Sequence, residues 1–456
     1  MNPETTRREF ITHAAVASAA GVAMMAGLPT RVAAAEAATA SDGLFRAAPV
    51  PHVRVGLIGV GDRGGTHARL ILGMNDIEIR AVADPHAPAA QRIRASARAA
   101  GKPEPTLYTD GEHDYRKLLE RDDIDAVIIS TPWKWHEPQG VEAMRAGKHA
   151  FIEVPLGLSV DEMWSLIETS EQTGVHCMML ENVNYGCDEL LALNLCRQQI
   201  FGDLLHAEAA YIHDLRSQMN DVEWGTGSWR TAYHAHTQGN LYPTHGLGPV
   251  AQYMNLGRTD DRFDVITSMG SPALGRNLYA QEHLPDGHPH RAMNYTCSDM
   301  NTSVIRTAMG RTIMVQYDTT SPRPYTRHNL IQGTRGCLAS FPSRVAVEGW
   351  GDTHDWIEGE AFAEMEAKYE HPLWTRMGEE AKKAGGHGGM DYIMLRRIVE
   401  CLQAGEPMDQ TVYEGADWSV VRPLSEASAN AGGTPMAFPD FTRGRYIQIS
   451  PLAIVS

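Results

Sequence analysis

VRVGLIGVGDRGGTHARLILGM, residues 53–74, decides how this 456-residue chain folds. Val53–Val60 is a continuous apolar run, the pattern of a strand buried on both faces. Gly59, Gly61 and Gly64 follow at once, with Asp62 and Arg63 between them, and a helical stretch runs on to Met74. A second apolar run, Ile77–Ala83, ends at Asp84, twenty residues after Gly64. Each part has a mechanical use. The first glycine makes a tight turn, the second lets backbone approach a pyrophosphate, and the third lets helix and strand pack closely. The helix N-terminus offers free N–H groups to phosphate. An acid at the end of the second strand bonds ribose hydroxyls and repels a 2′-phosphate. The order strand, glycines, helix, strand, acid predicts a dinucleotide site that favours NAD over NADP.

The alternation continues beyond this unit. Asp125–Thr131, His149–Val154 and His176–Leu180 read as further buried strands. Helices are expected at Glu137–Ala146 and Val160–Gln172, the second opened by a Ser159-x-x-Glu162 capping box. The result is a doubly wound parallel sheet with right-handed crossovers, a Rossmann domain over residues 52–181. Ligands bind beyond the carboxyl ends of such strands. The residues there are Trp133-Lys134-Trp135-His136, Glu153-Val154 and Glu181-Asn182.

After Asn182 the period changes. Leu204–Leu215, Phe263–Met269, Thr302–Ala308 and Arg311–Asp318 alternate, and the last two flank Met309-Gly310 as a hairpin would. Residues 182–433 are therefore expected to form an α+β substrate domain around a largely antiparallel open sheet, and 434–456 a C-terminal tail. The uncovered face of that sheet could roof the cofactor or join a second copy of the chain.

The first 40 residues stand apart. Thr6-Arg7-Arg8-Glu9-Phe10-Ile11 is a twin-arginine pattern, followed by an apolar small-residue run from Ala14 to Leu28 and by Ala33-Ala34-Ala35. That is the order of a signal peptide for the export machinery that carries folded proteins, with cuts expected after Ala35 or Ala40. It places the mature protein in the periplasm or outside the cell, with no stable membrane span. With 40 Lys+Arg against 56 Asp+Glu the chain has a net charge of -16, which argues against nucleic acid as partner. The 20 histidines show no H-E-x-x-H spacing, and no metal site is expected. The six cysteines form no C-x-x-C pair and read mostly as buried thiols.

The Rossmann half, the E-x-P at Glu153-Val154-Pro155 and the open sheet after them resemble the glucose–fructose oxidoreductase and inositol dehydrogenase superfamily. Most of its members have E-K-P, with a lysine that moves a proton during sugar oxidation; this chain has Val154. The stretches Tyr242–Val250, Asp299–Thr302, Thr320–Tyr325 and Gly386–Asp391 resemble glycoside hydrolase family 109, the NAD-dependent α-N-acetylgalactosaminidases, whose members carry E-V-P. The likeness spans nearly all of the chain after the signal.

That resemblance implies a glycosidase that works by a redox cycle rather than by a carboxylate pair, a known exception among such enzymes. The sugar is oxidised at C3 with NAD as acceptor, the new ketone acidifies C2–H, a base removes that proton, and the C1 substituent is eliminated. Water adds, and the sugar is reduced again, so a bound NAD serves many turnovers. By analogy Tyr185 is the C2 base, and His245, read as lying in a loop between Pro243 and Gly246, takes the C3 hydroxyl proton in place of the missing lysine. Tyr211, Arg230, Tyr242, Pro243, Thr244, His245 and Tyr325 are implied substrate contacts on a small glycoside or glycan. Asp62-Arg63, Asp84, Trp133–His136, Glu153-Val154 and Asn182 are implied cofactor contacts. Two other readings compete: an exported NAD(P)-dependent sugar oxidoreductase of the same superfamily, and a sugar-binding protein that keeps NAD as structure.

Overall fold

A computed structural model describes residues 43–352 and 354–455. The twin-arginine segment, 1–40, lies outside the described residues. Two sheets organise the rest. The first has six parallel strands in the order β3-β2-β1-β4-β5-β6. They are β1 (Val53–Ile58), β2 (Ile77–Ala83), β3 (Thr106–Tyr108), β4 (Ala126–Ile129), β5 (His149–Ile152) and β6 (Cys177–Met179). Leu57 on the central strand pairs with Val82 on one side and Ile128 on the other, both buried. The strand order reverses at β1, so the crevice beyond β1 and β4 is the switch point where a ligand binds.

The second sheet has eight strands: β7 (Leu204–Ile212), β8 (Phe263–Gly270), β9 (Asn301–Thr307), β10 (Thr312–Asp318), β11 (Leu330–Gly333), β12 (Gly336–Ala339), β13 (Arg344–Val347) and β14 (Met436–Ala437), in the order β13-β12-β11-β7-β10-β9-β8-β14. The expected hairpin forms, with Ile313 opposite Ile305. All pairs are antiparallel except β7 with β10, whose parallel register sets Tyr211 beside Tyr317. Burial alternates along β9, from Asn301 inward to Val304 and Arg306 outward. One face is therefore core and the other is open.

The capping box is half formed. Ser159 Oγ accepts from the Glu162 N–H at 3.2 Å, but the Glu162 carboxylate accepts from the Leu158 N–H at 2.7 Å instead of reaching Ser159. The helix Met390–Ala404 returns from the second half to pack on β1 and on the helix Asp62–Leu72. It buries Tyr392, Leu395, Ile398 and Val399 there. The last residues are also tied in: β14 pairs with β8, and Phe438 and Phe441 join the core. All six cysteines are free thiols, with Cys177, Cys297 and Cys401 buried. Among the described residues no helix is long and apolar enough to cross a membrane.

Candidate functional site

A cavity of about 350 Å³ lies at the switch point. Its floor is the glycine loop. A Cβ on Gly64 would sit 2.0 Å from the Gly59 carbonyl oxygen, so only glycine lets the helix start this close to the strand. Gly61 faces the cavity: a Cβ there would meet only the Trp224 ring, at 3.7 Å, and would fill the space a pyrophosphate needs. Asp84 closes one end. Its two oxygens accept from the N–H groups of Val60 and His86, each at 2.8 Å, which fixes the carboxylate and leaves its remaining lone pairs for ribose hydroxyls. Asp62, Arg63, Trp133, Lys134, Trp135, Glu153 and Val154 also line the cavity. His136 is buried at its edge, its ring bridging the carbonyls of Pro155 and Thr131 at 2.6 and 2.9 Å. It holds the loops after β4 and β5 together. This donor set, with its open glycine face, fits a dinucleotide.

Arg63 organises the floor of the cavity. Its guanidinium lies 2.9 Å from Glu153 and 3.0 Å from Asp391, and His67 adds a 2.7 Å bond to Glu153. Both carboxylates are buried. Burial alone would raise their pKa values. Their partners together outweigh it: Arg63 and His67 push Glu153 down to about 2, and the His387 hydrogen bond with the Arg63 charge takes Asp391 far below the ordinary carboxylate range. Asn182 donates to Asp391 Oδ1 at 2.7 Å and does not line the cavity, so it supports the cofactor floor from behind. His387 joins the cluster, 2.9 Å from Asp391. The glycine-rich stretch before the returning helix is therefore a structural clasp across the two halves.

The second wall comes from the mixed sheet. Tyr242 and Arg230 line the cavity, and Tyr242 is ringed by Tyr211 at 4.7 Å and His245 at 4.8 Å. Tyr325 completes the group, 6.2 Å from Tyr211, with its hydroxyl accepting from Arg327 at 2.6 Å. Burial pushes the Tyr211 phenol up to about 12. Thr244 is buried beneath this wall, beside Pro243.

His245 is not in a loop. It is the second residue of the helix Thr244–Tyr253, because Gly246 lets that helix press on β7: a Cβ there would lie 2.4 Å from the Ala210 nitrogen. Its Nδ1 lies 2.6 Å from Glu181 Oε1, and Glu181 is fully buried. An ionised carboxylate can only accept, so Nδ1 carries the proton and Nε2 keeps its lone pair. The pair is a base with its tautomer fixed by a carboxylate. Glu181→Gln is expected to lower kcat by about 100-fold with KM and bound dinucleotide unchanged, measured by steady-state kinetics on the purified holoprotein.

Tyr185 is placed elsewhere. Its hydroxyl points at Asp409, 3.3 Å away, among Asn184, Leu190, His371 and Leu373, and not into the large cavity. Burial and the Asp409 charge push its pKa well above the usual phenol value. The phenol stands beside a carboxylate and does not line the cleft, which gives the role implied for Tyr185 no support. The sequence also hides a contributor. The segment 223–229 crosses from the second half over the glycine loop, and its Trp224 ring lies 4.8 Å from His86 with Arg92 5.7 Å above it. An exposed segment with no periodicity gives no signal for this contact.

The match to known proteins follows the same division. Residues 53–181 match the model described as the oxidoreductase family, NAD-binding Rossmann fold, and residues 185–448 match the glycosyl hydrolase 109, C-terminal domain. The chain belongs to glycosyl hydrolase family 109. A glycosyl hydrolase family 109 protein of Shewanella sp. (strain W3-18-1) is 54% identical over 406 residues, 88% of each chain. Another, of Shewanella baltica (strain OS185), is 51% identical over 456 residues, 98% of each chain. Among solved structures, levoglucosan dehydrogenase in complex with NADH superposes with a TM-score of 0.65 at 19% identity, covering 85% of this chain and 99% of that one. Apo scyllo-inositol dehydrogenase from Lactobacillus casei gives 0.58 at 15%, covering 86% and 99%. At such identities the likeness shows the fold. The family 109 chain is thus a glycoside hydrolase built on an oxidoreductase fold, with NAD as its cofactor.

Proposed function

We propose that this family 109 protein hydrolyses glycosides ending in α-linked N-acetylgalactosamine, by oxidising and re-reducing the sugar at C3 around one retained NAD. The observation that carries this is the Glu181–His245 pair packed on Tyr242, which lines the NAD cleft. The cleft offers no lysine to do the same work. Val154 is apolar, and Lys134, the one lysine among its lining residues, has its ammonium 3.8 Å from Glu112 and is 61% exposed. When bound, NAD supplies a reversible two-electron acceptor for the sugar.

The side chains divide the remaining work. His245 Nε2 takes the C3 hydroxyl proton as the carbonyl forms, and Glu181 stabilises the imidazolium. The C3 carbonyl makes C2–H acidic, and a second base must remove that proton. Tyr325 is the phenol with the matching support, since Arg327 donates to its oxygen. That donation opposes the effect of burial, which raises its pKa. Arg230 and Tyr242 orient the ring, and the tyrosine faces pack against sugar C–H groups. Tyr325→Phe is expected to abolish C2–H exchange in deuterated water, while Tyr185→Phe leaves exchange and turnover within about threefold. Loss of exchange in Tyr185→Phe with folding intact would return the base to Tyr185.

Export of a folded chain through the twin-arginine route suits this reading, because a retained NAD travels with the protein. The deciding experiment is a panel of aryl N-acetylhexosaminides without added NAD. Release of aryl alcohol from the α-galacto compound supports the assignment. Inactivity on every glycoside, with net oxidation of free sugar, would favour the oxidoreductase reading.

A further inference from the structure

Behind Tyr242 lies a second, smaller pocket lined by Trp133, Tyr211, Arg230, Arg276, Tyr317 and Thr319, among others. Two guanidinium groups face it, and neither has a carboxylate partner. Arg276, the second residue of the helix Gly275–His283, is only 4% exposed, yet among the described residues it makes no ion pair and its Nε has no hydrogen-bond partner. Its one ring contact is Tyr295, 5.7 Å from the guanidinium carbon. The Nε of Arg230 is likewise buried and unpartnered, with its guanidinium 5.1–5.3 Å from the rings of Trp133, Trp229 and Tyr242.

The neighbouring acids are already used. Asp299 accepts from the N–H groups of Leu274 and Gly275 and from the Thr320 hydroxyl. Asp318 accepts from the N–H groups of Thr320 and Ser321. His234, buried in the same pocket, adds no negative charge. Burial and the two arginines push its pKa well below the usual value, so it stays neutral. Burying a cation such as Arg276 without a partner is costly, and the half-buried Arg230 facing the same pocket repels it as well. A ligand that brings the counter-charge relieves that cost. The planar fork of arginine matches oxyanions in particular.

We propose that Arg230 and Arg276 form a subsite for an oxyanion carried by the substrate's sugar, a sulfate ester or a carboxylate. The pocket is small, about 10 Å³, room for roughly one water. It therefore admits only the leading oxygen of a substituent, the rest of which stays in the large cleft, and not a second ring. The sugar itself sits in the large cleft, which shares Trp133, Arg230 and Tyr242 with the pocket. The Thr319 and Tyr317 hydroxyls bond each other at 2.9 Å and leave one neutral donor on the same wall.

This subsite rests on the reading that the cleft receives a sugar, but its test needs no turnover. Calorimetry on the holoprotein would compare N-acetylgalactosamine, its sulfate esters and N-acetylgalactosaminuronic acid. At least one charged sugar is expected to bind tenfold or more tighter than the neutral one, with inorganic sulfate competing against it. The sulfate and carboxylate arms show which oxyanion the pocket takes. Arg276→Gln is expected to remove the preference while leaving the neutral sugar's affinity unchanged. Equal affinities in the unaltered protein would overturn the subsite, and so would a preference that survives Arg276→Gln. If that variant does not fold, the comparison in the unaltered protein with sulfate competition decides alone. A charged-sugar preference without any glycosidase activity would keep the subsite and sink the glycosidase.

Discussion

His245→Asn is expected to lower kcat by about three orders of magnitude, with bound NAD and KM little changed. Positioned general bases contribute roughly 10²–10⁴-fold. This one falls in the middle of that range, because the one lysine lining the cleft, Lys134, is turned to Glu112. Asparagine keeps a hydrogen bond to Glu181 but can take no proton. The wall around it should hold, since the tyrosines pack on each other as well as on His245. The check is steady-state turnover of an aryl α-N-acetylgalactosaminide together with NAD content by mass. A drop of less than tenfold would move the C3 proton to another group.

Arg63→Met is expected to produce the second large effect, on stability and cofactor retention together. It would leave Glu153 and Asp391 buried with no arginine between them. Breaking a buried ion pair from one side costs about 3–5 kcal/mol. Thermal unfolding should show a lowered midpoint, and the purified variant should have lost most of its NAD. The same cluster sets an acid limit on the native protein. Glu153 falls from an ordinary 4.5 to about 2 on folding. A carboxylate whose pKa is lowered by folding adds stability that is fully present above its unfolded value and is lost as pH falls through the folded one. Unfolding midpoints should therefore be flat above about pH 4.5 on account of this group and fall steadily toward pH 2. Asp391, shifted in the same direction, adds to the fall. In Arg63→Met this acid dependence should be blunted.

The Rossmann half was legible because a strand buried on both faces leaves an unbroken apolar run, and because Gly59, Gly61, Gly64 and Asp84 each answer a separate geometric need. The β9–β10 hairpin was legible through its alternation about Met309-Gly310. The short strands Leu330–Gly333, Gly336–Ala339 and Arg344–Val347 left too little alternation to read. The parallel pairing of β7 with β10 joins segments about a hundred residues apart, and local pattern carries nothing about it.

The site shows the same limit. Which residues stand near the cofactor could be read from strand ends, but what each one touches could not. Glu181 was visible as a strand-end acid, yet its bond to His245 spans 64 positions. Tyr185 follows Asn182 closely in sequence, and a short helical turn, Asn182–Tyr185, carries its ring away toward Asp409. Asp391 lies in a glycine-rich stretch whose local pattern carries no sign of burial, and it is fully buried on Arg63.

The proposed cycle requires a dinucleotide that ends each turnover as it began. The most direct test follows aryl alcohol release and the absorbance of reduced dinucleotide in one cuvette, with purified holoprotein and no added NAD. Many equivalents of aryl alcohol per protein, with no net rise in reduced dinucleotide, are the predicted result. Reduced dinucleotide rising in step with sugar consumed, while the glycosidic bond stays whole, would contradict it.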